Sequence, residues 1–252
     1  MIKSSIRSLF LGVGREILAI RQSGNIDVQT KGDFRDIVTR ADRRAEEMIV
    51  AHIKRFYPGH RIRGEEGTAL KSNSEYEWII DPIDGTTNFA NGHDFFGISA
   101  GLYKNGVGQM GIMYFPALEK LAYGIKGDGA FINGKRVTVK RIAKGLRESL
   151  IAADLLPGTE NLFSRLRTRA MYVLVGGSFT VAALWFIEGK IAAYLHTGAT
   201  PYDVAAARII VEEAGGIVSG IKDGGINLNQ EKIPVIFSSS ENITRELREL
   251  LK

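Results

Sequence analysis

The chain has 252 residues, 24% of them charged, with a net charge of +5 and no cysteine. That length suits one large domain or two small ones, and the missing thiols exclude disulfides, thiolate zinc sites and a cysteine nucleophile. The longest strictly apolar run, Val181 to Ile187, falls far short of the roughly 20 residues a membrane span needs.

Near the N-terminus, Ile6, Leu9, Phe10, Val13, Ile17 and Ile20 recur at helical spacing, and Arg15 and Glu16 interrupt the apolar stretch that a signal peptide would need. A first amphipathic helix and a cytoplasmic location are expected. A second helix is predicted over residues 37–56, with Ala45, Met48, Ile49, Ile53 and Phe56 as its stripe and YPG as its stop. HRIRGEEG then reads as strand-like, and YEWII predicts a strand buried on both faces. Residues 95–140 break into short β runs separated by KNG, PALE, GDG and NG, the turn signals of an antiparallel sheet.

The remainder alternates. SLIAADL, MYVLVGG, IAAYLH and IPVIFSSS read as strands. FSRLRTRA, SFTVAALWFIEGK, PYDVAAARIIVEEAGG and ENITRELRELLK read as helices, with Ser178 as an N-cap and Pro201 in a first turn. This order predicts an α+β or layered α/β architecture, with a central antiparallel sheet and a second mixed sheet. Residues 1–140 form an N-terminal α+β half and residues 141–252 a C-terminal α/β half of one compact catalytic unit. Basic residues are scattered among acids, as in ADRRAEEM and RELRELLK, so a solvated face or an approach path for an anionic substrate is expected rather than a nucleic-acid surface.

Four acidic sites draw notice. In DPIDGTTNF, Asp81 and Asp84 lie three residues apart across Pro82, at the end of an apolar strand. Two such carboxylates repel unless a cation lies between them, and a hard ion such as Mg²⁺ prefers oxygen ligands, among which the Ile83 carbonyl is at hand. Gly85-Thr86-Thr87 reads as a helix start, whose N–H groups cradle a phosphate. The same Asp-x-x-Asp also suits a plain turn with an Asx cap. Taken singly, Asp203 reads as a helix N-terminal acid, Glu65 and Glu66 as an exposed loop, and Asp42 as a solvated helix position.

Together these motifs resemble the inositol monophosphatase family of lithium-sensitive, magnesium-dependent phosphatases, which also includes fructose-1,6-bisphosphatases. WIIDPIDGTTNF and PYDVAAARIIVEEAGG are similar to its two signatures, and GEEG, KGDFRDIVTRAD and GDGAFING to further segments. The resemblance implies a layered α-β-α-β-α sugar-phosphatase fold, a homodimer and two or three Mg²⁺ ions. Glu65, Asp81 and the Ile83 carbonyl would hold one ion, and Asp81, Asp84 and Asp203 a second. Glu65 and Asp42 are linked to a weaker third. The Gly85 and Thr86 amides would bind the phosphate, and the Thr86 hydroxyl with Glu65 would orient the attacking water. Asp84, Ser178, His196 and Asp203 would face the substrate. Hydrolysis of a sugar or polyol phosphate is implied, inositol-1-phosphate first, with fructose-1,6-bisphosphate or histidinol phosphate as alternatives. Association with RNA or RNA polymerase is the reading from another class.

Two departures stand out. The second signature usually has Trp before its aspartate and Gly five residues after it; here these are Tyr202 and Arg208. Inositol-specific members carry a glutamate at the position of His196, and an imidazole cannot accept two hydroxyl protons as a carboxylate does. His196 is therefore expected either to contact a second phosphate or sugar oxygen, or to cap its strand.

Overall fold

The computed structural model describes residues 2–31, 37–141, 145–221 and 225–251. Helix α1 (Ser4–Gln22) comes first and buries the predicted face, including Phe10, Val13 and Ile17. A short antiparallel pair, β1 (Gln29–Thr30) with β2 (Ile37–Val38), precedes α2 (Arg40–Phe56). The helix predicted from residue 37 thus begins at Arg40. The reason is a capping box: Thr39 accepts the Ala41 N–H while Asp42 accepts the Thr39 N–H, which fixes where the first turn starts.

Strands β3 (Arg61–Gly64), β4 (Ala69–Leu70) and β5 (Tyr76–Asp84) lead into the one-turn helix α3 (Thr86–Ala90). The predicted meander follows as β6 (Gly97–Lys104), β7 (Val107–Phe115), β8 (Lys120–Ile125), β9 (Gly129–Ile132) and β10 (Lys135–Val137). It is only part of a larger sheet, eight strands in the order β10-β9-β8-β7-β6-β5-β3-β4, in which β3 and β5 are the one parallel pair. The second half contains β11 (Leu150–Asp154), α4 (Glu160–Arg169), β12 (Tyr172–Leu174), α5 (Phe179–Ile187), β13 (Ala193–Ala199), α6 (Pro201–Glu213), β14 (Ile217–Gly220), β15 (Ile233–Ser238) and α7 (Glu241–Leu250). Its mixed sheet runs β12-β11-β13-β15-β14. Strand β14 escaped sequence reading, since four half-buried residues behind a Gly-Gly pair carry little periodic signal.

Each sheet is covered on both faces. Helices α1 and α2 pack on the outer face of the large sheet, against Trp78, Ile80, Ile98 and Ile112. Helices α5 and α6 fill the space between the sheets, joining Met113 and Phe115 of one to Tyr194 and Phe237 of the other. Helices α4 and α7 cover the far face of the small sheet through Leu166, Ile243 and Leu247. The result is the α-β-α-β-α sandwich. No helix among the described residues is long and apolar enough to cross a membrane.

The close seat of α6 has a specific cause. Gly101, Gly111 and Gly124 are directly opposite one another on β6, β7 and β8. Their missing side chains leave a trough in which α6 lies: a Cβ on Gly111 would come within 2.3 Å of the Ala206 carbonyl oxygen, and one on Gly101 within 2.9 Å of Ala205. The Tyr103 hydroxyl reaches the Ala205 carbonyl at 2.8 Å and ties the helix to the sheet. Helix α6 carries Asp203, so this trough sets how deeply that carboxylate enters the molecule. Gly111→Val should destabilise the fold by about 1–3 kcal/mol, the usual cost of overpacking. A thermal melt should show a drop of several degrees, and an unchanged midpoint would mean that α6 does not depend on the trough.

Candidate active site

Strand β5 does not stop at Asp81. It continues to Asp84, with its pairing to β6 broken between the two acids. That irregularity, at Pro82-Ile83, swings both carboxylates to one side, a recurrent use of bulges beside functional sites. Gly85 then takes the left-handed region (φ 83°) as the N-cap of α3, and a Cβ there would sit 2.9 Å from the Phe95 carbonyl oxygen and from Ser178. Only glycine fits both demands. The first N–H groups of α3 have no intrahelical acceptor, as at any helix start.

Asp84 is buried, and a single segment supplies all its donors. Its Oδ2 accepts the Ser178 hydroxyl at 2.5 Å, the Thr180 hydroxyl at 2.5 Å and the Thr180 N–H at 2.6 Å; its Oδ1 accepts the Phe179 N–H at 3.1 Å. Ser178 is the N-cap of α5, as predicted. Its hydroxyl, expected to face the substrate, is engaged with Asp84. A few residues along, Asn88 donates to the carbonyls of Gly176 (2.9 Å) and Phe95 (2.7 Å). The loop 176–180 therefore grips the DPIDGTTN stretch at two points. Thr180 and Asn88 were not singled out from sequence; no local pattern marks a donor whose acceptor is 96 positions away.

Two acids share one device. Asp42 and Asp203 are both the third residue of a helix whose N-cap is a threonine, in Thr39-Arg40-Ala41-Asp42 and Thr200-Pro201-Tyr202-Asp203. In each, one carboxylate oxygen accepts the threonine N–H and hydroxyl, at 2.8 and 2.5 Å for Asp42 and at 2.6 and 2.8 Å for Asp203. The second oxygen is left for other partners. Asp42 is thus buried, not solvated, and its Oδ1 lies 3.1 Å from the Thr86 hydroxyl, which is also 2.8 Å from the Ile83 carbonyl oxygen. The repeated Thr-x-x-Asp is a sequence signal that could have marked both positions as capping acids.

Glu65 follows β3, its N–H bonded to the Ile80 carbonyl at 3.2 Å, and Lys31 approaches Glu65 at 3.6 Å and Glu66 at 2.6 Å. The loop is held from below by Glu46, a buried α2 residue also missed from sequence, which accepts the N–H groups of Glu66 (2.8 Å) and Thr68 (3.0 Å). Residues 32–36 of the KGDFRDIVTRAD segment lie outside the described residues.

Asp81, Asp84 and Asp203 each bring an oxygen within 4.8 Å of the others. Asp81 Oδ1 is buried with no hydrogen-bond partner among the described residues. Burial first, and then the neighbouring acids, push these groups up: Glu65 to about 8, Asp84 to about 6, and Asp81 well above the usual carboxylate range. An all-oxygen set with one orphaned carboxylate oxygen fits a hard divalent cation. Tyr202 and Arg208 are apart from this set: Tyr202 lies half-buried beside it, and Arg208 is bonded to Glu212 at 2.8 Å and to the Ile226 carbonyl at 3.3 Å. His196 lies on β13, its Nδ1 accepting the Gly198 N–H at 3.0 Å, and burial pushes it down to about 4.

A clustered carboxylate site beside a glycine-led helix start suits a metal-dependent phosphoester hydrolase. The sequence model of the Inositol monophosphatase family matches residues 2–251, and the chain belongs to that family of phosphatases. It is 38% identical over 198 residues to the fructose-1,6-bisphosphatase/inositol-1-monophosphatase of Thermotoga maritima, covering 78% of this chain and 76% of that one. To inositol monophosphatase 1 of Bos taurus it is 32% identical over 248 residues, covering 94% and 89%. The solved structure of a Thermotoga maritima IMPase superposes with a TM-score of 0.87 at 34% identity, over 97% of this chain and 94% of that one.

The raised carboxylates have a consequence for stability. Glu65 and Asp84 titrate higher in the folded chain than their ordinary 4.5 and 3.8, so the stability they lend is full below those values and is lost as pH rises through about 6 and about 8. The metal-free protein should therefore melt progressively lower between about pH 5 and about pH 8. Saturating Mg²⁺ should flatten that slope, because the cation takes over the role of the proton. Melting curves with EDTA and with Mg²⁺ test this, and parallel slopes would count against a cation at these acids.

Proposed function

We propose that the chain hydrolyses the phosphate monoester of a sugar or polyol, inositol-1-phosphate first and fructose-1,6-bisphosphate or histidinol phosphate next, with two or three Mg²⁺ ions as cofactor. The observation that carries this reading is the convergence of Asp81, Asp84 and Asp203, with one Asp81 oxygen left without a hydrogen-bond partner among the described residues. Glu65, Asp81 and the Ile83 carbonyl would hold one ion, and Asp81, Asp84 and Asp203 a second. A third, weaker ion would fall to Glu65 and Asp42. When bound, such ions lower the pKa of water and offset the charge of a phosphoryl group.

The chain's own groups do the positioning. The N–H groups of Gly85 and Thr86 cradle the phosphate without bringing charge. The Thr86 hydroxyl, shared between Asp42 and the Ile83 carbonyl, is supported by their geometry to orient the attacking water together with Glu65. Residues 1–140 and 141–252 act as one unit in this reading, since Asp84 and Asp203 come from different halves. A cytoplasmic homodimer completes it, supported by the exposed apolar residues Met171, Tyr172 and Val175 beside the edge strand β12.

Steady-state rates on a panel of the three phosphates, with and without Mg²⁺, test the function; background rates throughout would end the enzyme reading. Asp81→Asn should lower Mg²⁺-dependent turnover at least about a hundredfold, given that even outer-shell partners of a metal ligand are worth 10–100-fold. The same variant removes a buried, repelled charge. Its melting point in EDTA at neutral pH should therefore equal or exceed that of the wild type. Normal turnover would remove Asp81 from the metal site.

A further inference from the structure

Glu65 and Asp203 come from different halves of the chain, one following β3 and the other in the first turn of α6. Burial is the first cause that raises Glu65, and the charge of Asp203 is the second, so the two acids repel. Their elements must be held against that repulsion.

A short strap ahead of β15 runs between them. It turns at residues 227–230, where Asn227 accepts the Gln230 N–H on its carbonyl at 3.2 Å and the Asn229 N–H on its Oδ1 at 3.0 Å. Ile226 and Leu228 press into the core between the sheets, and Leu228 also packs with Tyr202 against Ile79, Tyr103, Ala205 and Ile209. The carbonyls of Ile226 and Leu228 are each taken by an arginine. Arg63, on β3 two residues ahead of Glu65, donates to the Leu228 carbonyl at 2.9 Å. Arg208, on α6 five residues after Asp203, donates to the Ile226 carbonyl at 3.3 Å, while its Nε–H is on Glu212 at 2.8 Å.

Both guanidiniums are half-buried, where a bond from a charged donor is stronger than at the surface. They face one region. Burial pushes the Tyr103 phenol up, and the charges of Arg208 and Arg63 both draw it back. That phenol is the group that ties α6 to the sheet through the Ala205 carbonyl. Burial likewise raises the Tyr202 phenol, next to Asp203, and the opposed charges of Arg63 and Glu65 both reach it. A strap gripped at Leu228 from β3 and at Ile226 from α6 fixes the spacing of those two elements.

We propose that Arg63 and Arg208 are positioning residues of the metal centre, which clamp the strap 226–228 between β3 and α6 and so hold Glu65 and Asp203 in place before a cation arrives. This rests on the part of the phosphatase reading that makes those acids metal ligands. Neither arginine is one of the proposed ligands or phosphate-binding groups; both act through the strap. The sign of their effect separates this role from plain electrostatics. Removing a positive charge near an acid cluster by itself tightens the binding of a cation, whereas loss of the clamp weakens it.

Calorimetric titration of the EDTA-stripped full chain with Mg²⁺ reads that sign without turnover. Arg208→Met and Arg63→Met should each weaken Mg²⁺ binding about three- to tenfold, somewhat less than the 10–100-fold of a group bonded directly to a metal ligand. The double variant should be little worse than either single one, because releasing one end already frees the strap. Arg63→Lys, which keeps a donor for the Leu228 carbonyl, should restore most of the affinity. If Arg63→Met does not fold, Arg208→Met decides the sign alone. Mg²⁺ binding that is unchanged or tighter in the variants, with melting points lowered equally in EDTA and in Mg²⁺, makes the arginines merely structural and overturns the proposal, while the phosphatase reading stands. A wild type that binds Mg²⁺ yet hydrolyses none of the three phosphates removes the phosphatase reading, and the calorimetric comparison still decides for or against the clamp. A wild type that binds no Mg²⁺ overturns both.

Discussion

A carboxylate can be buried with its charge only if donors are brought to it, and Asp84 receives four from the segment Ser178–Thr180. That one match joins the large sheet, where Asp84 ends β5, to the start of α5, between the two sheets. Asn88 repeats the connection one turn later through the Gly176 and Phe95 carbonyls. The start of α3, the broken end of β5 and the first turn of α5 are therefore tied together by hydrogen bonds. Neither half of the chain can assemble the acid cluster alone, because Asp203 must also be lowered into it on α6, and the glycine trough of β6, β7 and β8 decides how far.

The protein's electrostatics reverse between its surface and its centre. The chain is basic overall, yet Asp42, Glu65, Asp81, Asp84 and Asp203 are gathered where water is scarce, each pushed toward its protonated form chiefly by burial. Such a cluster is costly without a cation and favourable with one, so folding and metal binding are coupled through the same groups. The unshared oxygens of Asp42 and Asp203 have a common origin. In both, the capping box consumes one oxygen and aims the other inward, which turns an ordinary helix-start motif into a way of fixing a carboxylate's orientation.

Much of this site was legible in the primary structure. DPIDGTTNF announced two acids and a glycine-led helix start, and the PYDVAA segment announced Asp203. The Thr-x-x-Asp spacing accompanied both helix-borne acids, although Asp42 read singly as a solvated position. What escaped were groups that act from a distance on a neighbour's backbone. Glu46 supports the Glu65 loop by accepting two N–H groups, Thr180 meets Asp84, and Asp154 stands beside His196. Each looks like an unremarked residue of its own helix or strand, because nothing in its local spacing names its partner. The short strands β4 and β14 were lost for a similar reason, since brief segments owe their pairing to the neighbours that receive them.

The sequence by itself determined the periodic elements, the meander, the class of chemistry and the acids that gather in the cluster. Those properties depend on residues close together in the chain: apolar periodicity, turn residues, caps, and carboxylates held apart by a proline. Tertiary structure alone decided which oxygens of those acids are free, how deep α6 sits, and that Asp154 and His196 are partners in the register of β11 and β13. These depend on strand register and on close approach between segments a hundred residues apart, where the absence of a side chain, as at Gly111, matters as much as the presence of one.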